Sequence, residues 1–220
     1  VSLIRSKLKP EIPLIGFAGA PFTLASYLIE GGGSKDYLRV KALLKDEKTW
    51  HALMEKLVVA TASYLNAQAA SGAQALQLFD SWVGLLSPQE FQNLVLPHLK
   101  RLIAGLPAEV PVIYFGTQTA PFYPYIRESG ATVAGVDWRL PLDEAWKQLE
   151  GLAVQGNLNP EVLLTDPATV KRETEKVLRL AGGRPGHIFN LGHGILPKTP
   201  MENVRAMIET VKHFRPAPQI

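Results

Sequence analysis

Short apolar segments rich in β-branched residues alternate along this chain with longer stretches of helical period, and this rhythm constrains the fold more than any other feature. It is the pattern of β/α units laid around a parallel sheet. Residues 12–19, 74–79, 110–115, 132–137, 152–156 and 187–191 form the six apolar segments. Most are apolar on both faces, as strands are when helices cover one side and a barrel interior the other. Between them, residues 49–71 predict the longest helix, with Leu53, Leu57, Ala60, Tyr64 and Ala67 recurring on one face and Gly72 placed to end it. A second helix, 88–104, follows Ser87 as N-cap, with Pro88 at the first helical position. Asp166-Pro167 repeats that start signal ahead of a helix ending at Gly182-Gly183, and the last helix spans 200–214.

Six strands suit an open doubly wound sheet, whereas a closed barrel needs eight. The polar residues decide between them. A nucleotide-binding sheet carries a Gly-rich phosphate loop after its first strand, but Gly19-Ala20-Pro21-Phe22-Thr23 stands there. Instead the strand ends carry polar or small groups: Tyr27 a turn beyond the first, then Asp80-Ser81, Thr117-Gln118-Thr119, Asp137, Asn157 with Asn159, and His193. Barrel enzymes build their sites from such a ring on the carboxyl side. The expected architecture is therefore α/β, a (β/α)8 TIM barrel represented by its six C-terminal units. Residues 1–220 are read as a single domain, complete at its end but lacking two N-terminal units, roughly 60 residues or more of a barrel of about 250. Residues 1–10 read as the tail of an amphipathic helix, and exposed sheet edges in such a chain predict aggregation or domain exchange.

Composition narrows the function. There are no Cys residues, hence no disulfide framework, no thiolate zinc site and no cysteine nucleophile, and a reducing cytoplasm is the expected setting. A formal charge of +3, with cations scattered among acids, does not favour nucleic acid but permits a small anionic substrate. The longest apolar runs, such as 53–64, are broken by charged or polar residues well short of the roughly 20 residues of a membrane span, and no signal peptide is visible.

Four stretches in order along the chain identify it as resembling uroporphyrinogen decarboxylases. They are GFAGAPFTLASY from Gly16 to Tyr27, continuing to Glu30-Gly31-Gly32-Gly33-Ser34; QLFDSWVG from Gln77 to Gly84; GVDW from Gly135 with QGNLNP from Gln155; and FNLGHG from Phe189, followed by Pro197. The resemblance implies a cofactor-independent, metal-free carboxy-lyase. Such an enzyme removes the four acetate carboxyls of uroporphyrinogen III to give coproporphyrinogen III for haem synthesis, as a cytoplasmic homodimer acting on a tetrapyrrole. A deep aspartate and N-terminal arginines, on which the family's chemistry chiefly depends, are expected in the portion that would precede this chain. No catalytic residue is therefore assigned here, and the chain alone is expected to be inactive.

Four residues carry over as substrate-binding. Tyr27 matches a substrate-side tyrosine whose phenol bonds a carboxylate or steers a proton; the bland alternative is a core tyrosine on a helix. Ser81 matches a hydroxyl that contacts a substrate carboxylate, against a plain role in capping the strand end. It is no hydrolase nucleophile, since the elbow glycines are missing. Phe79 matches an aromatic lining the cleft, or is core. His193, between Gly192 and Gly194, matches a histidine facing a substrate carboxylate, or is a satisfied structural imidazole. His51, His98, His187 and His213 read as surface or packing residues. Gly31–Gly33 follows a helix and reads as a flexible turn with Ser34 capping the next helix, and Asp137 either reaches the site or forms a salt bridge to Arg139 or a neighbouring loop. Two alternatives stay open: a corrinoid-dependent methyltransferase of the same superfamily, disfavoured by the lack of Cys, and an inactive fragment.

Overall fold

The computed structural model describes residues 1–215. It divides into two compact units, Val1–Val133 and the residues from Ala134 onward.

The first unit opens with α1 (Ser2–Lys7), β1 (Ile15–Gly19), α2 (Pro21–Glu30), α3 (Leu38–Leu43) and α4 (Glu47–Ala70). It continues with β2 (Ala75–Asp80), α5 (Pro88–Glu90), a π-turn over Phe91–Val95, α6 (Leu96–Ala104), β3 (Val112–Gly116) and α7 (Tyr123–Arg127). Its strands are parallel in the order β1-β2-β3, with Ala18 opposite Leu78 and Leu78 opposite Tyr114. The second unit takes up β4 (Val133–Gly135) at its boundary and adds α8 (Leu142–Gln148), β5 (Ala153–Leu158), α9 (Pro167–Ala181), β6 (His187–Leu191) and α10 (Met201–His213). Its β5 and β6 are parallel partners. All six strands lie where the apolar segments placed them, each followed by a helix. Among the described residues no helix is long and apolar enough to cross a membrane.

Helix α4 differs from expectation by one residue of rotation. Its buried face is Trp50, Met54, Val58, Thr61, Leu65 and Gln68, while Tyr64 is 59% exposed. Apolar residues occupy both adjacent registers, and the polar Thr61 and Gln68 disguised the true one. Gln68 is buried for a reason: its Oε1 accepts from Phe17 N–H at 3.0 Å and its Nε2 donates to Phe17 C=O at 2.8 Å. Gly16 leaves room for this, because a Cβ there would sit 2.7 Å from Gln68 Oε1.

The expected helix 88–104 forms, but with the π-turn in its middle. Pro97 accounts for it, since its ring and missing N–H cannot satisfy the carbonyl four residues back. The start is as read: Ser87 and Glu90 form a reciprocal capping box. The indole of Trp50 crosses from α4 to donate to Leu94 C=O at 2.9 Å, and its ring packs 5.8 Å from Phe22. Ser34 does not cap α3: it accepts from Tyr37 N–H, and the cap comes from Glu30 Oε1, which accepts from Arg39 and Val40 N–H at 3.0 and 3.1 Å. The glycine run thus turns the chain so that the last acid of α2 can reach the first turn of α3.

Candidate functional site

In the first unit the carboxyl ends of β1, β2 and β3 gather the polar residues. Side-chain alternation along β2 separates two faces. Phe79 lies on one with Phe17 and Phe115, at ring distances of 5.8 and 6.0 Å, and Phe17 is 60% exposed, so this face presents an open aromatic platform. Leu78 and Asp80 lie on the other, under the helices, and are fully buried.

Ser81 follows Asp80 and is half-buried. Its carbonyl accepts from Thr117 Oγ1 at 2.7 Å. The N–H at the other end of the same peptide link, that of Trp82, points to Thr23 Oγ1 at 3.4 Å. Thr23 stands in the first turn of α2, and its hydroxyl donates to Asp80 Oδ1 at 2.8 Å while Tyr114 OH donates to Oδ2, also at 2.8 Å. Burial pushes the Asp80 carboxyl up to about 6, against the two hydroxyl donors that hold it down. Tyr114 is pushed well above its ordinary value by the same burial and by the neighbouring carboxylate.

Tyr27 emerges one turn beyond Thr23 on α2 and is 41% exposed. Its ring meets that of Trp82 edge-on at 6.1 Å, and Trp82 in turn packs 5.0 Å from Tyr37. Tyr27, Phe79 and Ser81 are therefore brought to one end of the first unit, Tyr27 beside the immediate neighbour of Ser81. The exposure of Tyr27 disposes of the core-tyrosine alternative, whereas Phe79 is both part-buried and part of the platform.

His193 belongs to the second unit, beyond the end of β6, exposed and with its ring 6.1 Å from Trp138. Its surroundings are built by close backbone approach: a Cβ on Gly192 would stand 2.5 Å from Trp138 N, whereas one on Gly194 would meet nothing within 4 Å. Asp137 is buried and makes the salt bridge to Arg139 that was one of the alternatives left open for it, accepting from Arg139 Nη1 at 2.7 Å and from Arg139 N–H at 3.0 Å. The guanidinium also lies 4.1 Å over the Trp138 ring. Asn157 Nδ2 donates to the carbonyls of Asp137 and Leu140, tying the ends of β4 and β5 together.

Of the remaining histidines, His213 lies on the surface beside Glu209 and the other three pack. His187 Nε2 contacts Gly156 O at 2.8 Å, and burial depresses its pKa. His51 and His98 meet at 2.7 Å on α4 and α6, with Glu55 bridging His98 to Arg101; His98 is depressed by burial and then by its neighbour. Among the described residues no group of three or more His, Asp or Glu is disposed to hold a metal ion.

Sequence reasoning did not single out Phe17, Thr23 or Tyr114. Phe17 carries a signal in hindsight, since it alternates with Ile15 on the face opposite Gly16 and Ala18. Thr23 and Tyr114 carry none, because their partner lies 57 and 34 residues away.

Comparison with known proteins gives a consistent set of likenesses. The model of the family described as Uroporphyrinogen decarboxylase (URO-D) matches residues 1–214. A uroporphyrinogen decarboxylase of Thermus thermophilus is 54% identical over 208 residues, covering 94% of this chain and 61% of that protein. Another, from Sorangium cellulosum, is 52% identical over 214 residues, covering 96% and 61% respectively. This chain thus spans about three-fifths of the length of the curated relatives it matches. Among solved structures, a methyltransferase from Methanosarcina mazei superposes with a TM-score of 0.80 at 22% identity, over 96% of this chain and 61% of that one. That likeness speaks to the fold alone, and agrees with six β/α units of the TIM-barrel type.

Proposed function

The chain belongs to the uroporphyrinogen decarboxylase family, and from that premise we propose that the protein takes part in decarboxylating the four acetate side chains of uroporphyrinogen III to give coproporphyrinogen III. The observation that carries the proposal is the family match over 214 residues, joined to a tyrosine, a serine and an aromatic platform at one set of strand ends.

The chemistry needs little from these residues. Protonating a pyrrole carbon beside an acetate makes the ring an electron sink for the departing carboxylate. The protein has to place the macrocycle, deliver protons and balance charge. In this reading the rings of Phe17 and Phe79 lie against the tetrapyrrole, while the Tyr27 phenol and Ser81 hydroxyl donate to its carboxylates. His193 donates to another carboxylate, and in its protonated form adds charge. No cofactor is required. Homodimerisation, a cytoplasmic setting and indifference to nucleic acid are part of the same proposal.

The methyltransferase alternative shares the fold, but a chain without Cys supplies no thiolate for zinc. Supplying the full-length protein with uroporphyrinogen III and following carbon dioxide release and coproporphyrinogen III formation tests the reading. Product formation is the expected result. Binding of the tetrapyrrole without loss of any carboxyl, under conditions where a relative turns over, would overturn it.

A further inference from the structure

The buried cluster of Asp80, Thr23 and Tyr114 has no part in the roles assigned so far, and its geometry bears directly on Ser81. Asp80 has no exposed surface and Thr23 is 3% exposed, so neither meets a substrate. What they meet is the peptide link that follows Ser81. A threonine hydroxyl has one proton and two lone pairs. Because Asp80 Oδ1 takes the proton, Thr23 Oγ1 turns a lone pair toward Trp82 N–H. Thr117 Oγ1 holds the carbonyl of the same link from the other side. The plane of the Ser81–Trp82 peptide is thereby fixed at both ends, and with it the direction in which the Ser81 side chain leaves the backbone. Thr23 also stands one helical turn before Tyr27, so the contact that orients the serine peptide anchors the start of the helix that presents the tyrosine.

We propose that Asp80 is a positioning residue for substrate binding, acting through Thr23 to hold the Ser81–Trp82 peptide and the first turn of α2 in the arrangement that presents Ser81 and Tyr27 together. The proposal rests on the reading of Ser81 as a substrate-carboxylate ligand. Tyr114 supplies the second hydroxyl, which satisfies the other carboxylate oxygen and keeps a buried acid from being left with an unpaired lone pair. The cluster thus transmits, through two hydrogen bonds, the register between strand β2 and helix α2.

The test is steady-state decarboxylation by the full-length protein and its variants, with a melting temperature recorded for each. Ser81→Ala establishes the premise by raising KM for uroporphyrinogen III about tenfold, the loss expected for one charge-assisted hydrogen bond. Asp80→Ala and Thr23→Val are expected to raise KM by a similar factor, about tenfold, with kcat changed less than about threefold. The double variant should be no worse than either single one, because both break the same link. Thr23→Ser, which keeps the hydroxyl, should restore the wild-type KM. Should Asp80→Ala fail to fold, the near-isosteric Thr23→Val and its serine counterpart carry the comparison. If Ser81→Ala raises KM while folded Asp80→Ala and Thr23→Val only lower the melting temperature, Asp80 is merely structural and the inference is overturned. If Ser81→Ala leaves KM unchanged, the reading of Ser81 falls, and the inference falls with it.

Discussion

The carboxamide of Gln68 takes both hydrogen-bonding groups of one residue of β1, Phe17, accepting from its N–H and donating to its C=O. Among the described residues β1 pairs only with β2, so Gln68 occupies the edge where another strand would bond. A side chain thus blunts an edge that would otherwise template association. Replacing Gln68 by Ala removes two hydrogen bonds to part-buried backbone groups, which should cost about 1–3 kcal/mol. Glu at this position should recover part of that loss, since a carboxylate accepts from Phe17 N–H but has nothing to donate. Urea denaturation reads the stability. Sedimentation velocity should show the Ala variant self-associating at concentrations where the parent does not.

Asp80 predicts a pH dependence of stability opposite to that of an ordinary paired carboxylate. Its pKa is about 6 in the folded chain, against about 3.9 unfolded. Between these values the folded state holds a proton that the unfolded state has released, so stability declines as pH rises. The stabilising effect of protonation is full below about pH 4 and gone above about pH 6, a swing of about 3 kcal/mol. Asp80→Asn does not titrate. The stability of the parent relative to this variant should therefore fall by about that amount between pH 4 and 7.5 and then level off. Taking the difference cancels His98 and His187, whose depressed pKa values work in the reverse sense. A flat difference across this range would show that the two hydroxyl donors offset the burial of the carboxyl, leaving its pKa where the unfolded chain has it.

Local sequence made the architecture legible and left the contacts hidden. The six strands stood out because apolar runs were bounded by turn residues, and the Asp137–Arg139 pair could be named among the alternatives because its partners lie two residues apart. The rotation of α4 was misread by one position, since Leu53, Leu57 and Tyr64 compete with Met54, Val58 and Leu65, and only the placement of Gln68 against β1 separates them. The π-turn was signalled by Pro97 and passed over. What sequence does not encode locally is the meeting of Thr23, Asp80 and Tyr114, which comes from three different elements. Ser81 and Tyr27 were found by resemblance to a family, while the cluster that holds them in place was not.

Gly192 and Gly194, which flank His193, should respond differently to the same substitution. A methyl group on Gly192 would meet Trp138 N at 2.5 Å and Asp137 C at 3.0 Å, both backbone atoms that cannot swing aside. Gly192→Ala should therefore cost about 1–3 kcal/mol and displace the turn that carries His193. Gly194→Ala meets open space and should change stability by less than about 0.5 kcal/mol. Thermal denaturation of the two variants side by side, with the His193 ring protons followed by NMR, separates the effects. Equal responses would mean that the close approach to Trp138 is not maintained in solution.

Tyr27 offers the sharpest separation between a residue kept for the fold and one kept for a ligand. Its ring is held edge-on by Trp82, but 41% of the residue is exposed. Phenylalanine keeps the ring contact and removes only the phenol, so Tyr27→Phe should leave stability within about 0.5 kcal/mol. If the phenol donates to a substrate carboxylate, the same change should weaken tetrapyrrole binding by about tenfold, the loss of one hydrogen bond to a charged group. Tyr27→Ala removes the edge-on contact as well, and should add a stability loss of about 1 kcal/mol without weakening binding much further. Titrating the full-length protein and both variants with uroporphyrin III, which keeps all the carboxylates of the substrate, followed by absorbance, measures the binding, and urea denaturation measures the stability. Unchanged affinity in Tyr27→Phe would assign Tyr27 to the support of Trp82 and leave the carboxylates to Ser81 and His193.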